Sequence, residues 1–320
     1  QLLRSEGSTK YSMIGMVSGC VVNIALDPLF IHVLGLEVAG AAIATGISKL
    51  TSFIILLMPF LKKKSILELK PQFFTPKKEI YLEIAKMGIP TFLRSSMLAV
   101  SSIVVNNVAG SFSDSALAAV TVANKSAHLV GSGIIGLSQG FQPVAGYNWG
   151  AKNYNRVRKA FWACTVMGVS ASIVLGAILA VFARRLVGVF TSSDDLEILQ
   201  IGSYMIITQC ITMGFHTWGV ISNGLFQALG RSVGAAILGL SRQLICLLPC
   251  VLILSKLFGV YGLASAQAAA DILTFIVALL MTVALFRRIK RIEYENNMLK
   301  IKNQPENTQS KIEHHGVISI

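Results

Sequence analysis

Charged residues are scarce in this chain of 320 residues, where they make up 13% of the sequence against 53% hydrophobic residues. A soluble domain of this length carries about twice that charged fraction. Several apolar runs are long enough to cross the roughly 30 Å hydrocarbon core of a bilayer. The scarcity of charge therefore excludes an ordinary soluble domain and indicates an integral membrane protein.

The motifs of common enzyme classes are also missing. The sequence contains no paired nucleophile and base, no glycine-rich phosphate loop of the Walker type and no cluster of metal ligands. Its five cysteines lie in apolar runs without C-x-x-C spacing, which is typical of small packing residues. His314 and His315 lie in a polar tail, where we expect them to be solvated. We therefore expect no enzymatic activity and no cofactor.

Eight apolar stretches are present, and each must be helical because backbone polar groups in lipid have to be satisfied within the segment. They cover residues 13–34, 38–61, 88–110, 117–141, 161–182, 198–229, 233–257 and 262–286. The predicted fold class is therefore an all-α integral membrane protein with about eight transmembrane helices in this chain.

The net charge of +13 does not indicate nucleic-acid binding, because the lysines and arginines lie mostly in loops and in the tail. Basic residues crowd into alternate loops, such as the one with Lys62, Lys63 and Lys64, whereas the opposite loops hold acidic residues such as Asp114 and Asp194. Basic loops stay on the cytoplasmic side. We therefore expect both the N-terminal loop and the C-terminal tail to be cytoplasmic.

The two ends of the chain are similar to each other and form a weak internal repeat. A glycine, an apolar stretch with one proline and a second glycine occur at each end, at Gly7, Pro28, Gly35, Gly230, Pro249 and Gly259. If the ends match, residues 1–61 are the last two helices of an earlier lobe and residues 88–286 are a whole six-helix lobe. Residues 62–87 are then a cytoplasmic linker and residues 287–320 a basic, disordered cytoplasmic tail. Since the later lobe has six helices, we expect six in the earlier lobe too, with about four of them upstream in a parallel repeat. The start at Gln1 in a polar loop also indicates truncation.

Asp27 is the clearest charge inside a predicted span. Asn23 lies four residues before it, so both side chains share one helix face, and Pro28 leaves a backbone carbonyl free nearby. These oxygen groups suit Na⁺, or a carboxyl that exchanges a proton, and Thr45 on the next span adds a hydroxyl. The alternative is that Asp27 sits at the outer interface and merely ends its helix. The residues alone do not decide between the two.

The later spans contain further polar residues, and a charge inside a span is a functional hypothesis by default. The candidates for a cavity or for a polar contact within the lobe are Asn106, Asn107, Asn124, Lys125, Arg242 and Asp271. We expect Asp271 to pair with Arg242 or Lys125. A buried clamp between helices is the favoured interpretation of this set, and a cavity lining is the other.

The middle of the chain carries the most specific motif, QGFQPVAGYNWGAKNYNRVRKA, which begins at Gln139. Proline and glycines there predict a helix that ends in a loop at the membrane interface. The motif resembles the loop after the eighth helix of the multidrug and toxic compound extrusion (MATE) family, on the residues Gln142, Pro143, Gly146, Tyr147, Asn148 and Gly150. The strings NIALDPLFI and VAGAAIAT are similar to the fifth and sixth helices of the same family.

The resemblance implies a fold of twelve helices in two lobes and efflux of organic cations and drugs against Na⁺ or H⁺ by alternating access. In that family the positions of Asn23, Asp27 and Thr45 belong to an ion-coupling site, which also uses an acidic residue on a first helix that this chain lacks. Residues 88–110 contain no acidic residue, so a second ion site in the later lobe is not expected.

The implied partners are a small-molecule drug or organic cation, the bilayer of the inner or plasma membrane, and the missing N-terminal helices. No nucleic acid is implied, no metal beyond a coupling Na⁺, and a monomer at full length. Three alternatives stay open. A lipid or lipid-linked oligosaccharide flippase of the same superfamily would favour a large cationic cavity, a membrane-embedded enzyme would need acidic or histidine clusters at span ends, and a fragment would have no function alone.

Overall fold

The computed structural model describes residues 2–62, 65, 77–189 and 196–302, and the secondary structure of this part is helical throughout. The elements are α1 (Leu2–Ser5), α2 (Thr9–Pro28), a π-helix π1 (Leu29–Val33), α3 (Glu37–Leu61), α4 (Lys78–Phe112), α5 (Asp114–Gly150), α6 (Tyr154–Val189), α7 (Leu196–Ala228), α8 (Ser232–Leu240), a π-helix π2 (Ser241–Leu247) and α9 (Leu248–Lys302). The prediction of an all-α membrane class is confirmed.

Six helical stretches of the described residues are long and apolar enough to cross a membrane, fewer than the eight predicted spans. The stretch Ser232–Tyr294 accounts for two predicted spans, because Gly259 breaks it with a φ of 61° and a ψ of −138°. The other difference is α5, which is not among these six stretches. Its exposed side carries polar residues at Thr121, Lys125, His128 and Ser132.

The chain divides into two compact units, and the first covers Gln1–Leu82. In it α2 and α3 form an antiparallel hairpin: Gly15 lies against Leu56, and Gly19 against Ser52. At the closed end, a Cβ on Gly40 would approach the carbonyl oxygen of Phe30 to 2.8 Å. Small residues are therefore needed where these helix backbones meet.

The second unit covers Glu83–Ile320, and α7 lies at its centre, packed against α5, α6, α8 and α9. Its large buried side chains include Phe161, Met205, Ile221 and Leu225. The outward sides of α6 and α9 are apolar, with exposed residues such as Val181 and Leu280, as expected for surfaces that contact lipid.

The backbone supports the internal repeat. The glycines with positive φ in the described residues are Gly7 (82°), Gly35 (63°), Gly230 (69°) and Gly259 (61°), which are the four glycines that the repeat pairs. The two prolines of the repeat also have similar surroundings, because π1 directly follows Pro28 and π2 ends two residues before Pro249. A close backbone approach follows the second glycine at both ends, at Gly40 five residues after Gly35 and at Gly262 three residues after Gly259, where a Cβ would collide with the carbonyl oxygen of Leu254.

Three segments differ from the expectations. The helix α4 begins at Lys78, inside the predicted linker 62–87, of which residues 63, 64 and 66–76 lie outside the described part. At the other end α9 continues to Lys302, so the predicted disordered tail starts as helix; residues 303–320, with His314 and His315, lie outside the described part. Helical hydrogen bonding continues readily from a long span into a polar extension, because adding a residue is far easier than nucleating a helix.

The third difference concerns the predicted interface loop. The helix α5 runs through Pro143 to Gly150, so the motif residues Gln142 to Gly150 form the last turns of a helix and not a loop. Proline is tolerated inside membrane helices because neighbouring groups satisfy the freed carbonyl. The connection to α6 is only Ala151 to Asn153, closed by a hydrogen bond from the Asn153 amide to the Asn148 carbonyl at 2.9 Å.

Candidate functional site

The carboxylate of Asp27 lies beside the amide of Asn23 on the half-buried side of α2. Asn23 Nδ2 donates a hydrogen bond to Asp27 Oδ1 at 3.1 Å, which confirms that the two side chains share a helix face. No basic side chain forms an ion pair with Asp27 among the described residues. Within the described part, the carboxylate therefore accepts a hydrogen bond from a neutral amide and has no cationic partner.

The backbone next to Asp27 departs from α-helical geometry. Pro28 has no amide hydrogen, so the carbonyl of Ile24 loses its helical partner, and π1 begins at the following residue. A π-helical turn inside a helix is rare and is often found at functional sites. A carboxylate and a side-chain amide thus lie within two turns of a carbonyl that cannot bond to the proline at its usual helical position.

Thr45 is not joined to this pair in the structure. Its side chain is exposed on α3, and its hydroxyl donates to the carbonyl of Ala41 at 2.9 Å. The side of α3 buried against α2 is formed instead by Gly40, Ala44 and Ser48. A role for Thr45 as an ion ligand therefore stays a prediction.

A second charged group is buried in the second unit. Asp271 on α9 is 5% exposed, and Arg242 of π2 donates from Nε to its Oδ1 at 2.8 Å. His216 on α7 approaches the same oxygen with Nδ1 at 3.5 Å. The pairing predicted between Asp271 and Arg242 is confirmed, and Lys125, the other predicted partner, is exposed on α5.

The remaining polar candidates lie apart from both groups. Asn106 and Asn107 are exposed on α4, and Asn124 is half-buried on α5. None of the three makes a side-chain hydrogen bond within the described ranges, so their placement in a cavity stays a prediction. In the same ranges no group of three histidine, cysteine or acidic residues is placed to hold a metal ion.

The motif at the end of α5 packs against α7. Gln142 Nε2 donates to Gln227 Oε1 at 3.4 Å, and Gln227 donates to Asn223 at 2.6 Å. A Cβ on Gly146 would lie 3.3 Å from the carbonyl oxygen of Ala228, so the backbones are close there. Tyr147 is 79% exposed and suits an interface position.

Sequence reasoning missed His216, which stands alone in an apolar run. The signal that reveals it is the spacing of polar residues on α7: Tyr204, Thr208, Thr212 and His216 follow one another at intervals of four. Such residues lie on one side of a helix. A single histidine is not a functional signal by itself, whereas a histidine at the end of a polar stripe is one.

Comparison with known proteins identifies the family. The family model described as MatE matches residues 90–252, half of the chain. This chain belongs to the MatE family. The resemblance drawn from the sequence to the multidrug and toxic compound extrusion family is thereby confirmed, and so is the prediction that the chain is no enzyme, because MATE proteins are transporters.

Related proteins and solved structures of the MATE family match most of the chain. The multidrug export protein MepA of Staphylococcus saprophyticus is 28% identical over 289 residues, which are 90% of this chain and 63% of that protein. MepA of Staphylococcus aureus strain MSSA476 is also 28% identical, with the same coverage. An outward-facing structure of a multidrug resistance MATE family transporter has a TM-score of 0.83 at 25% identity, covering 90% of this chain and 65% of that one. The chain therefore spans less than two thirds of these MATE relatives.

Proposed function

We propose that the protein to which this chain belongs is a secondary transporter that exports organic cations and drugs in exchange for Na⁺ or H⁺. The observation that carries the proposal is the Asn23–Asp27 pair, next to Pro28 and π1 in a chain of the MATE family, whose carboxylate has no basic partner among the residues that the structure describes. The printed names of its relatives, multidrug export proteins, support the choice of substrate.

The mechanism is alternating access driven by ion binding. A ligand shifts a conformational equilibrium only by binding one state more tightly than the other. A proton or Na⁺ on Asp27 removes a charge that is unfavourable inside the bilayer, and so favours the state in which this part of α2 is packed away from water. Drug binding must favour the opposite state, which makes the two ligands exchange.

The proposed setting is a bacterial inner or plasma membrane, with both ends of this chain on the cytoplasmic side. The basic loops support this orientation, because the connection after α3 contains Lys62 and the turn after α5 leads into Arg156 and Arg158. Further helices on the N-terminal side complete the ion site, and the full-length transporter is a monomer that requires no nucleic acid and no cofactor.

The test replaces Asp27 by Asn in the complete protein and measures dye efflux from vesicles with an imposed pH or Na⁺ gradient. Asp27→Asn removes the exchangeable charge and should abolish gradient-driven efflux at unchanged expression. Asp114→Asn is the matched control, because Asp114 is exposed at the start of α5 and should tolerate the same change. Coupled efflux that persists in Asp27→Asn would remove the proposed role of this residue.

One observation favours a second function, transport of an anionic lipid by a flippase of the same superfamily. Lys125 and His128 are both exposed on one side of α5, next to Thr121 and Ser132. A lysine inside a span is unfavourable in lipid and faces water. Efflux of anionic lipid in place of cationic dyes, with loss of activity in Lys125→Gln, would favour this alternative.

A further inference from the structure

Two arginines come together at one end of the second unit. Arg231 lies in the turn between α7 and α8, and Arg288 lies on α9 after its last apolar stretch. Leu229, two residues before Arg231, and Ile289, directly after Arg288, belong to one buried hydrophobic cluster. The core of the unit therefore holds the backbone at both arginines. We call Arg231 and Arg288 the arginine pair.

The two guanidinium groups act on each other. The pKa of Arg231 is lowered by partial burial and, to a smaller extent, by the positive charge of Arg288. Both effects disfavour the protonated form. Because an arginine side chain keeps its proton in proteins all the same, the arginine pair is a lasting concentration of positive charge.

The described residues supply no carboxylate to the arginine pair. Neither Arg231 nor Arg288 takes part in an ion pair within the part of the chain that the structure describes. The carboxylate of Glu293, on the same end of α9, is bonded to Arg158 at 3.3 Å. Arg287 and Lys290 are exposed beside the pair and add to its charge. A ligand that relieves the repulsion has to be an anion.

Each arginine also lies at the end of an exposed apolar row. On α9, Leu280 and Ala284 precede Arg288 at intervals of four residues, so the three side chains share a helix face, and Leu280 is 66% exposed. On α8, which begins directly after Arg231, Val233 and Ile237 are exposed and lie four residues apart. Exposed apolar faces of a membrane protein contact acyl chains. The arginine pair therefore lies where hydrocarbon meets the layer of phospholipid headgroups.

We propose that the arginine pair binds the phosphate group of an anionic phospholipid, whose acyl chains lie along the exposed apolar rows of α8 and α9. A guanidinium group donates two parallel hydrogen bonds to phosphate oxygens, so two arginines can hold one phosphate from both sides. Basic pockets between membrane helices are suited to acidic headgroups.

The apolar rows decide between a lipid and a free phosphate ion. A phosphate ion would relieve the repulsion between Arg231 and Arg288 but would leave the rows on α8 and α9 unused. The charges of Arg287 and Lys290 favour a headgroup with a net negative charge over a zwitterionic one. The lipid site depends neither on the proposed transport function nor on the compound that is exported.

Native mass spectrometry of the complete protein tests the proposal, with phosphatidylglycerol as the anionic probe and phosphatidylcholine as the zwitterionic one. The wild type should retain phosphatidylglycerol in preference to phosphatidylcholine. Arg288→Gln should weaken the retention of phosphatidylglycerol by roughly fivefold, the contribution of one basic residue to binding of an acidic lipid. The double variant Arg231→Gln with Arg288→Gln should lose the preference.

The matched control is Arg287→Gln with Lys290→Gln, which removes the same amount of charge from other sides of α9. This variant should keep most of the preference for phosphatidylglycerol. An equal loss in the two double variants would overturn the proposal, because it would reveal a diffuse surface charge in place of a site. A wild type without any preference would overturn it as well.

Thermal unfolding with added ligand separates a lipid from a soluble anion. A ligand that binds the folded protein raises its Tm. Phosphatidylglycerol should therefore raise the Tm of the wild type and of the matched control but not that of the double variant without the arginine pair. Inorganic phosphate at the same concentration should leave the Tm unchanged, and an equal rise with phosphate would overturn the assignment to a lipid.

A single variant keeps the test decisive if the double variant does not fold. Arg288 is exposed, so Arg288→Gln should fold like the wild type. Retention of phosphatidylglycerol at the wild-type level in this variant would overturn the proposal.

Discussion

The two units each place a carboxylate inside a span, but they treat its charge in opposite ways. Asp27 is half-buried and, among the described residues, accepts its hydrogen bond from the neutral amide of Asn23, whereas Asp271 is buried and bonded to Arg242 with His216 nearby. A buried charge without a partner is strongly unfavourable. Under the proposed function Asp27 gains its counter-charge from a coupling ion, whereas Asp271 already has one in Arg242.

The largest effect on stability is expected when Asp271 loses its arginine partner and so becomes more like Asp27. Arg242→Met removes the permanent partner and leaves a buried charge, which should lower the free energy of unfolding by about 3–5 kcal/mol. Thermal unfolding in detergent measures the loss. The double variant Arg242→Met with Asp271→Leu removes both charges and should recover most of it; equal loss in both variants would show that the arginine acts through packing and not through charge.

Each unit has a glycine at a close backbone approach shortly after its last repeat glycine, Gly40 in the first unit and Gly262 in the second. Gly262→Ala places a Cβ against the Leu254 carbonyl and Gly40→Ala places one 2.8 Å from the Phe30 carbonyl, so each should lower stability by about 1–3 kcal/mol, with the larger loss at Gly262. Gly136 has open space and is the control. A stable Gly262→Ala protein would mean that the break at Gly259 opens easily.

The smallest effect on stability is expected when Asp27 loses its hydrogen bond from Asn23. Asn23→Ala removes one hydrogen bond to a partly exposed carboxylate, and polar contacts in membrane proteins average about 0.6 kcal/mol. Unfolding should therefore change little, while the ion dependence of efflux changes. A loss of stability as large as that of Arg242→Met would mean that Asn23 is a structural partner and not part of an ion site.

The sequence alone predicted the membrane helices and part of each site, namely the Asn23–Asp27 pair in the first unit and the Asp271 carboxylate in the second. Apolar length is enough to find membrane spans, and a spacing of four residues is enough to place Asn23 beside Asp27. The choice of Arg242 over Lys125 as the partner of Asp271 depends on how α9 packs against π2, which no local pattern contains. Pro143 was expected to end its helix, but the packing of α5 on α7 overrides that local preference.

The π-helices could not be predicted from the sequence either, because each one depends on an extra residue being accommodated within a turn. They have a consequence for motion. If π1 or π2 gave up one residue to become regular α-helix, everything beyond it would turn by about 100° and shift by roughly 1.5 Å, the step of a single residue. Each π-helix therefore allows a screw motion of one residue. This motion turns the side chains beyond it to another side without bending the helix at a hinge.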